Sequence, residues 1–113
     1  PAALPYDNII SVANLMFDGT LAESSNFGAV SVDIAAPGSF IVSTVPGGYG
    51  IMSGTSMAAP MVTGVAAMLY SSHPGWTILD VKDAILGSAR KMDSLNGKIV
   101  TGGILDAAAA MQK

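Results

Sequence analysis

The sequence predicts an α/β domain built on a parallel sheet with a buried helix at its centre, and three stretches carry that prediction. Met61-Val62-Thr63-Gly64-Val65-Ala66-Ala67-Met68-Leu69-Tyr70 is too apolar for any exposed helix. Asn8-Ile9-Ile10-Ser11-Val12-Ala13 is a short apolar run that does not alternate, the pattern of a strand covered on both faces. Beyond Thr77, the residues Ile78, Val81, Ile85 and Leu86 recur at helical spacing, which describes an amphipathic helix on the periphery.

In chain order, residues 1–5 are irregular and residues 8–13 form the first strand. Between residues 14 and 31 the apolar period fades, and Asp18-Gly19 and Asn26-Phe27-Gly28 punctuate a loop or hairpin. Residues 32–35 read as a second strand ended by Pro37-Gly38, and residues 41–44 as a third. Pro46-Gly47-Gly48 then turns the chain into Tyr49-Gly50-Ile51-Met52. The helix after Ser56 contains Pro60, which lacks the N–H that would bond the Ser56 carbonyl, so its first turn is kinked or that carbonyl finds another partner. Gly64 costs about 1 kcal/mol relative to alanine in a helix and points to a second backbone close by. Ser71-Ser72-His73-Pro74-Gly75 ends the helix. Thr77 is the N-cap of the next one, with Asp80 placed to complete a capping box. Asn96-Gly97, flanked by Leu95 and Ile99-Val100, signals a hairpin, and Asp106 caps a short last helix over Ala107–Met111.

At 113 residues the chain is at most one domain. Charged residues are 12% of it, against about 25% in ordinary soluble domains, while apolar residues are 50%. So few charges do not cover a free-standing surface, and the composition leaves two readings: an ordinary hydrophobic enzyme domain, or a core segment of a larger protein. The net charge is −3 and the five Lys and Arg form no patch beyond Arg90-Lys91, so nucleic-acid binding has no electrostatic basis. Cysteine is absent, which removes disulfides, thiolate chemistry and cysteine-based zinc sites. The most apolar stretch, residues 57–70, is fourteen residues long and contains Pro60, Thr63 and Gly64, too short to span a membrane.

Ser53-Gly54-Thr55-Ser56-Met57-Ala58-Ala59-Pro60 leads into the apolar helix and sets Ser56 at its N-terminus. There the helix dipole and unpaired N–H groups favour the negative charge that an acyl-transfer intermediate develops on oxygen. Residue types alone leave Ser56 as either a nucleophile or a simple N-cap, the commoner role of a serine at a helix start.

Gly54-Thr55-Ser56-Met57-Ala58-Ala59-Pro60 resembles the nucleophile motif of the subtilisin-like serine peptidases, Gly-Thr-Ser-Met-Ala-x-Pro. Ser25-Asn26-Phe27-Gly28 and Val32-Asp33-Ile34-Ala35-Ala36-Pro37-Gly38 are similar to the segment that precedes it in that family. Gly102-Gly103-Ile104-Leu105-Asp106-Ala107-Ala108 resembles the family's C-terminal end. The resemblance implies that residues 1–113 are the C-terminal third of one subtilisin-like catalytic domain, in which the central helix starts at the nucleophile. It implies a secreted serine endopeptidase acting on polypeptides through an acyl-enzyme on Ser56. Thr55 would assist the oxyanion site, and the Asp, the His and an oxyanion Asn would come from upstream sequence, following the Asp, His, Ser order of subtilisin-type triads. The rest of the same domain is then the chain's partner. The alternative is a noncatalytic relative or fragment with a structural or binding role.

His73 is the only histidine, and it lies past the far end of the Ser56 helix, roughly 20 Å away at 1.5 Å per residue, beyond proton transfer. Met61 stands where the family motif usually has a histidine that takes no part in catalysis. No cofactor is required for the chemistry. A structural calcium or other cation is implied at Asp33, which resembles an aspartate that helps hold a weak cation together with carbonyls of the segment like residues 2–9; a loop-capping Asp33 is the alternative. Met52, four residues before Ser56, replaces a tyrosine of well-known members, and Ser24 falls where many have an aromatic ring. Loss of both rings is expected to open a pocket on the leaving-group side of the cleft.

Overall fold

The computed structural model describes residues 1–113. Its main sheet has the spatial order β1 (Val12–Leu15), β2 (Ile34–Pro37), β6 (Gly103–Ile104), β5 (Arg90–Lys91). β1, β2 and β6 run parallel and β5 joins antiparallel, so the fold is α/β with a mainly parallel sheet. Three helices accompany it: α1 (Thr55–Ser72), α2 (Ile78–Gly87) and α3 (Ala107–Met111). Successive residues of a strand point to opposite faces, and the core divides accordingly. Ile34 and Ala36 pack with Val62, Val65 and Leu69 of α1 and with Val81 and Ile85 of α2, whereas Ala35 turns to the other face and meets Ala13, Leu15, Leu95 and Ile99.

The first two strands begin later than the sequence pattern placed them. Pairing decides this: Val12 lies opposite Ile34 and Leu15 opposite Pro37, so the shared register extends both strands in the C-terminal direction. Asn14 thereby becomes a buried strand residue, its N–H donating to Ser25 Oγ at 2.9 Å and its Oδ1 accepting from Ser39 Oγ at 3.2 Å. β3 (Ile41–Val45) and β4 (Gly48–Met52) form the expected turn around Pro46-Gly47-Gly48, but as an antiparallel hairpin separate from the main sheet. The signal at Asn96-Gly97 does not make a tight hairpin. Leu95 and Ile99 are both buried in the core, so residues 93–95 coil into a 3₁₀ turn and the strands pair farther out, Arg90 with Ile104.

α2 begins as its sequence dictates. Thr77 Oγ1 accepts from the Asp80 N–H at 3.2 Å while an Asp80 carboxylate oxygen accepts from the Thr77 N–H at 2.8 Å, completing the capping box. Asp106 likewise caps α3. α1 departs from expectation, since only the stripe Ala58, Val62, Val65, Leu69 is buried. Met61, Met68 and Tyr70 are exposed on the flanks of that stripe, because β1, β2, α2 and α3 all pack against it. Gly64 faces open space, and no second backbone approaches it. No helix is long and apolar enough to cross a membrane.

Candidate active site

The turn entering α1 is made by two glycines. Gly54 is the N-cap, at φ 152° and ψ 172°, a region essentially restricted to glycine. Its N–H donates to the Gly38 carbonyl at 2.8 Å, and its own carbonyl accepts from the N–H groups of Met57 and Ala58 at 3.0 and 3.2 Å. Gly38 lies so close beneath it that a Cβ there would stand 2.5 Å from the Gly54 oxygen and 2.7 Å from Asn14 Oδ1. Pro37-Gly38 in the sequence signalled only the end of a strand, and this contact with the α1 turn went unread.

Since Gly54 holds the cap position and no side chain caps the helix, Ser56 is not an N-cap. It is the second residue of α1 and is exposed. The N–H groups of Thr55 and Ser56 bond no carbonyl of the chain, which leaves two donors at the positive end of an eighteen-residue helix. Ser56 lines a cavity of about 320 Å³ between the β3–β4 hairpin and α1, together with Met52, Met57, Pro60 and Met61. Thr55 is exposed beside it as the first residue of the helix.

Met52 and Ser24 do not share a pocket. Met52 faces the Ser56 cavity, whereas Ser24 lines a second cavity, of about 600 Å³, with Asn14, Glu23, Ser39, Phe40 and Ser53. Between the two runs the segment from Phe40 into β3, with the Phe40 N–H donating to Ser53 Oγ at 2.8 Å. Phe40 is the only non-glycine residue at positive φ, 55°. No signal in its sequence context marked it, since phenylalanine is not a residue that favours that region.

His73 caps the C-terminal end of α1, stacked on Trp76 at 3.8 Å between ring centroids, with Nδ1 3.3 Å from the Leu69 carbonyl. It stands at the opposite end of the helix from Ser56. Asp33 is also elsewhere: its carboxylate accepts from the Ser11 N–H at 2.8 Å and lines a cavity of about 230 Å³ with residues 2–7, Ile9 and Lys82. The donor set fits a divalent cation poorly. Its carboxylates are those of Asp33, already engaged by an N–H, and of Asp7, with no third acidic or histidine ligand, and Lys82 Nζ donates to the Ile9 carbonyl at 2.7 Å, bringing a positive charge to the loop that would have to supply oxygen ligands. Hydrogen bonds from the Thr20 hydroxyl and N–H hold the Asp18 carboxyl below the usual range, and it serves that turn.

A model of the Subtilase family matches residues 1–103. Among curated proteins, Subtilisin NAT of Bacillus subtilis subsp. natto is 42% identical over 85 residues, 74% of this chain and 22% of its own length. Subtilisin of Bacillus pumilus is 41% identical over 90 residues, 79% of this chain and 32% of its own. Subtilisin-like protease 1 of Plasmodium berghei (strain Anka) is 39% identical over 106 residues, 89% of this chain and 18% of its own. The chain thus spans about a fifth to a third of the length of these relatives. Among solved structures, a chain of the subtilase cytotoxin SubAB assembly superposes with a TM-score of 0.84 at 34% identity, covering 99% of this chain and 41% of that one. The A-subunit of the AB5 toxin from E. coli gives 0.82 at 36% identity, covering 92% and 37%.

Proposed function

This chain belongs to the subtilase family, and on that premise we propose that Ser56 is the nucleophile of a serine endopeptidase whose catalytic domain these 113 residues share with upstream sequence. Membership of a protease family implies polypeptide substrates. The observation that carries the reading is the state of Ser56: exposed, relieved of capping by Gly54, and seated where two N–H groups lack acceptors.

In this reading Ser56 Oγ attacks the scissile carbonyl carbon as a base removes its proton. The carbonyl oxygen becomes an oxyanion, stabilised by the Ser56 N–H and the start of α1, with the Thr55 hydroxyl alongside. Collapse expels the amine, which takes the proton from the base, and water then releases the acyl group from Ser56. The base and its orienting carboxylate come from outside these residues, as does the Asn donor, since His73 lies at the wrong end of α1. Met52, on the wall of the Ser56 cavity, contacts substrate. The chemistry needs no cofactor; a structural cation, if bound at Asp33, would use that carboxylate and the carbonyls of residues 2–9 and would hold the loop only. Secretion accords with the family reading.

The test is labelling of the full-length protein with a fluorophosphonate probe, together with peptide hydrolysis. Labelling and turnover that vanish in Ser56→Ala are expected. A full-length protein that neither labels nor cleaves has the noncatalytic role instead.

A further inference from the structure

The second cavity, on the Ser24 side of the turn, has a chemistry of its own. Its wall contains one charged residue, Glu23, and no cation; the remaining polar groups are the neutral side chains of Asn14, Ser24, Ser39 and Ser53. Phe40 adds an aromatic surface that is 66% exposed. A large apolar ring left in water gains nothing from burial, and a positive φ strains its backbone, so packing among these 113 residues does not account for Phe40 as it stands. The hydroxyl of Ser53, the residue directly before Gly54, nevertheless accepts from the Phe40 N–H and holds it there.

We propose that this cavity receives a lysine or arginine side chain of the polypeptide substrate, its aliphatic stem lying on Phe40 and its cationic head meeting Glu23. The proposal rests on the reading of Ser56 as nucleophile. A ring face with a carboxylate beyond it matches a side chain that is apolar along its stem and positive at its tip, since the stem is removed from water, the ring face attracts the cation, and the carboxylate pairs with it. A wholly apolar substrate residue would fill the space but leave Glu23 to be desolvated without a partner, and an acidic one would be repelled. The cavity, at about 600 Å³, has room for the longest side chains. No lysine or arginine of these 113 residues lines it, so none of them competes for Glu23.

The experiment profiles cleavage sites of the full-length protein on a mixed peptide library, for the wild type, Glu23→Gln and Glu23→Lys, with thermal melting used to verify that each variant folds. Wild-type cleavages are expected to be enriched about three- to tenfold for Lys and Arg at a single position relative to the scissile bond, as for a charge pair at a partly exposed site. Glu23→Gln removes most of that enrichment, Glu23→Lys turns it toward Asp and Glu, and added salt weakens it in the wild type. Active enzyme whose profile shows no basic preference, or keeps the same preference in Glu23→Gln, overturns the assignment of this cavity and leaves the peptidase reading intact. A wild type that cleaves nothing and resists the fluorophosphonate overturns both.

Discussion

Gly54 and Gly38 are clasped backbone to backbone: the Gly54 N–H meets the Gly38 carbonyl at 2.8 Å, with no room for a Cβ on Gly38. Through this contact β2, which ends at Pro37, holds the turn that presents Ser56. Gly38→Ala places a methyl 2.5 Å from the Gly54 oxygen and 2.9 Å from Ala58 Cβ. Both obstacles belong to backbone or rigid core, so the α1 turn has to move. We expect a loss of about 1–3 kcal/mol in stability, accompanied by a fall in fluorophosphonate labelling larger than the fraction of unfolded protein explains. Wild-type labelling in a folded Gly38→Ala protein would show that the clasp does not position Ser56.

How much of this was legible in the sequence depends on the range of the interaction. Helix caps and turns are local, and Thr77-Asp80, Asp106 and Pro46-Gly47-Gly48 announced them correctly. Strand ends are set by a partner, so β1 and β2 moved along the chain once Val12 met Ile34. Apolar content showed that α1 is a core helix but not which stripe is covered within these residues. The proposed role of Ser56 was legible through its motif alone, because residue types did not separate a cap from a nucleophile; Gly54 at the N-cap removes the first of the two. The Gly38–Gly54 clasp and the backbone of Phe40 arise from contacts between distant segments and left no periodic trace.

Met57 lines the same cavity as Ser56, and its sulfur is 3.9 Å from the place a Cβ on Gly54 would take. Oxidation to the sulfoxide adds a polar oxygen beside the helix start and crowds the site proposed for the oxyanion. Peroxide treatment of the full-length enzyme is expected to lower kcat, and Met57→Ala to retain its rate under the same treatment. Equal sensitivity of the two proteins would place the vulnerable group elsewhere.

Lys82 joins α2 to the loop before β1 through its bond to the Ile9 carbonyl. Lys82→Met leaves that carbonyl without its charged donor, at a cost of about 1–3 kcal/mol, and a Tm lower by several degrees is expected. The vacated charge gives a small cation access to the Ile9 carbonyl and the Asp33 cavity. The Tm of the variant is therefore expected to rise with added potassium or calcium by more than the wild-type Tm does. A cation bound elsewhere shifts both proteins alike, so the difference between them is diagnostic. A wild type that loses as much stability on cation removal as the variant would show that a bound ion, and not Lys82, secures this loop.

A polypeptide of residues 1–113 alone is expected to lack peptidase activity although it carries Ser56. A serine hydroxyl is almost entirely un-ionised at neutral pH, and triad members act as a unit, so a nucleophile without its base forfeits nearly all of the triad's contribution. The only histidine is stacked on Trp76 at the far end of α1. The same polypeptide also exposes Met61, Met68 and Tyr70 along α1, and the start of β1, at the edge of the sheet, has one side unpaired, while residues 22–25 cover that side at Asn14. Apolar surface and a free strand edge together favour association, so aggregation is expected in isolation and an ordered state beside the rest of the domain. Expression of residues 1–113 with and without Ser56→Ala, followed by fluorophosphonate and peptide assays, measures this directly. Labelling that depends on Ser56 would place a base within these residues, and the assignment of the remaining catalytic groups to upstream sequence would be wrong.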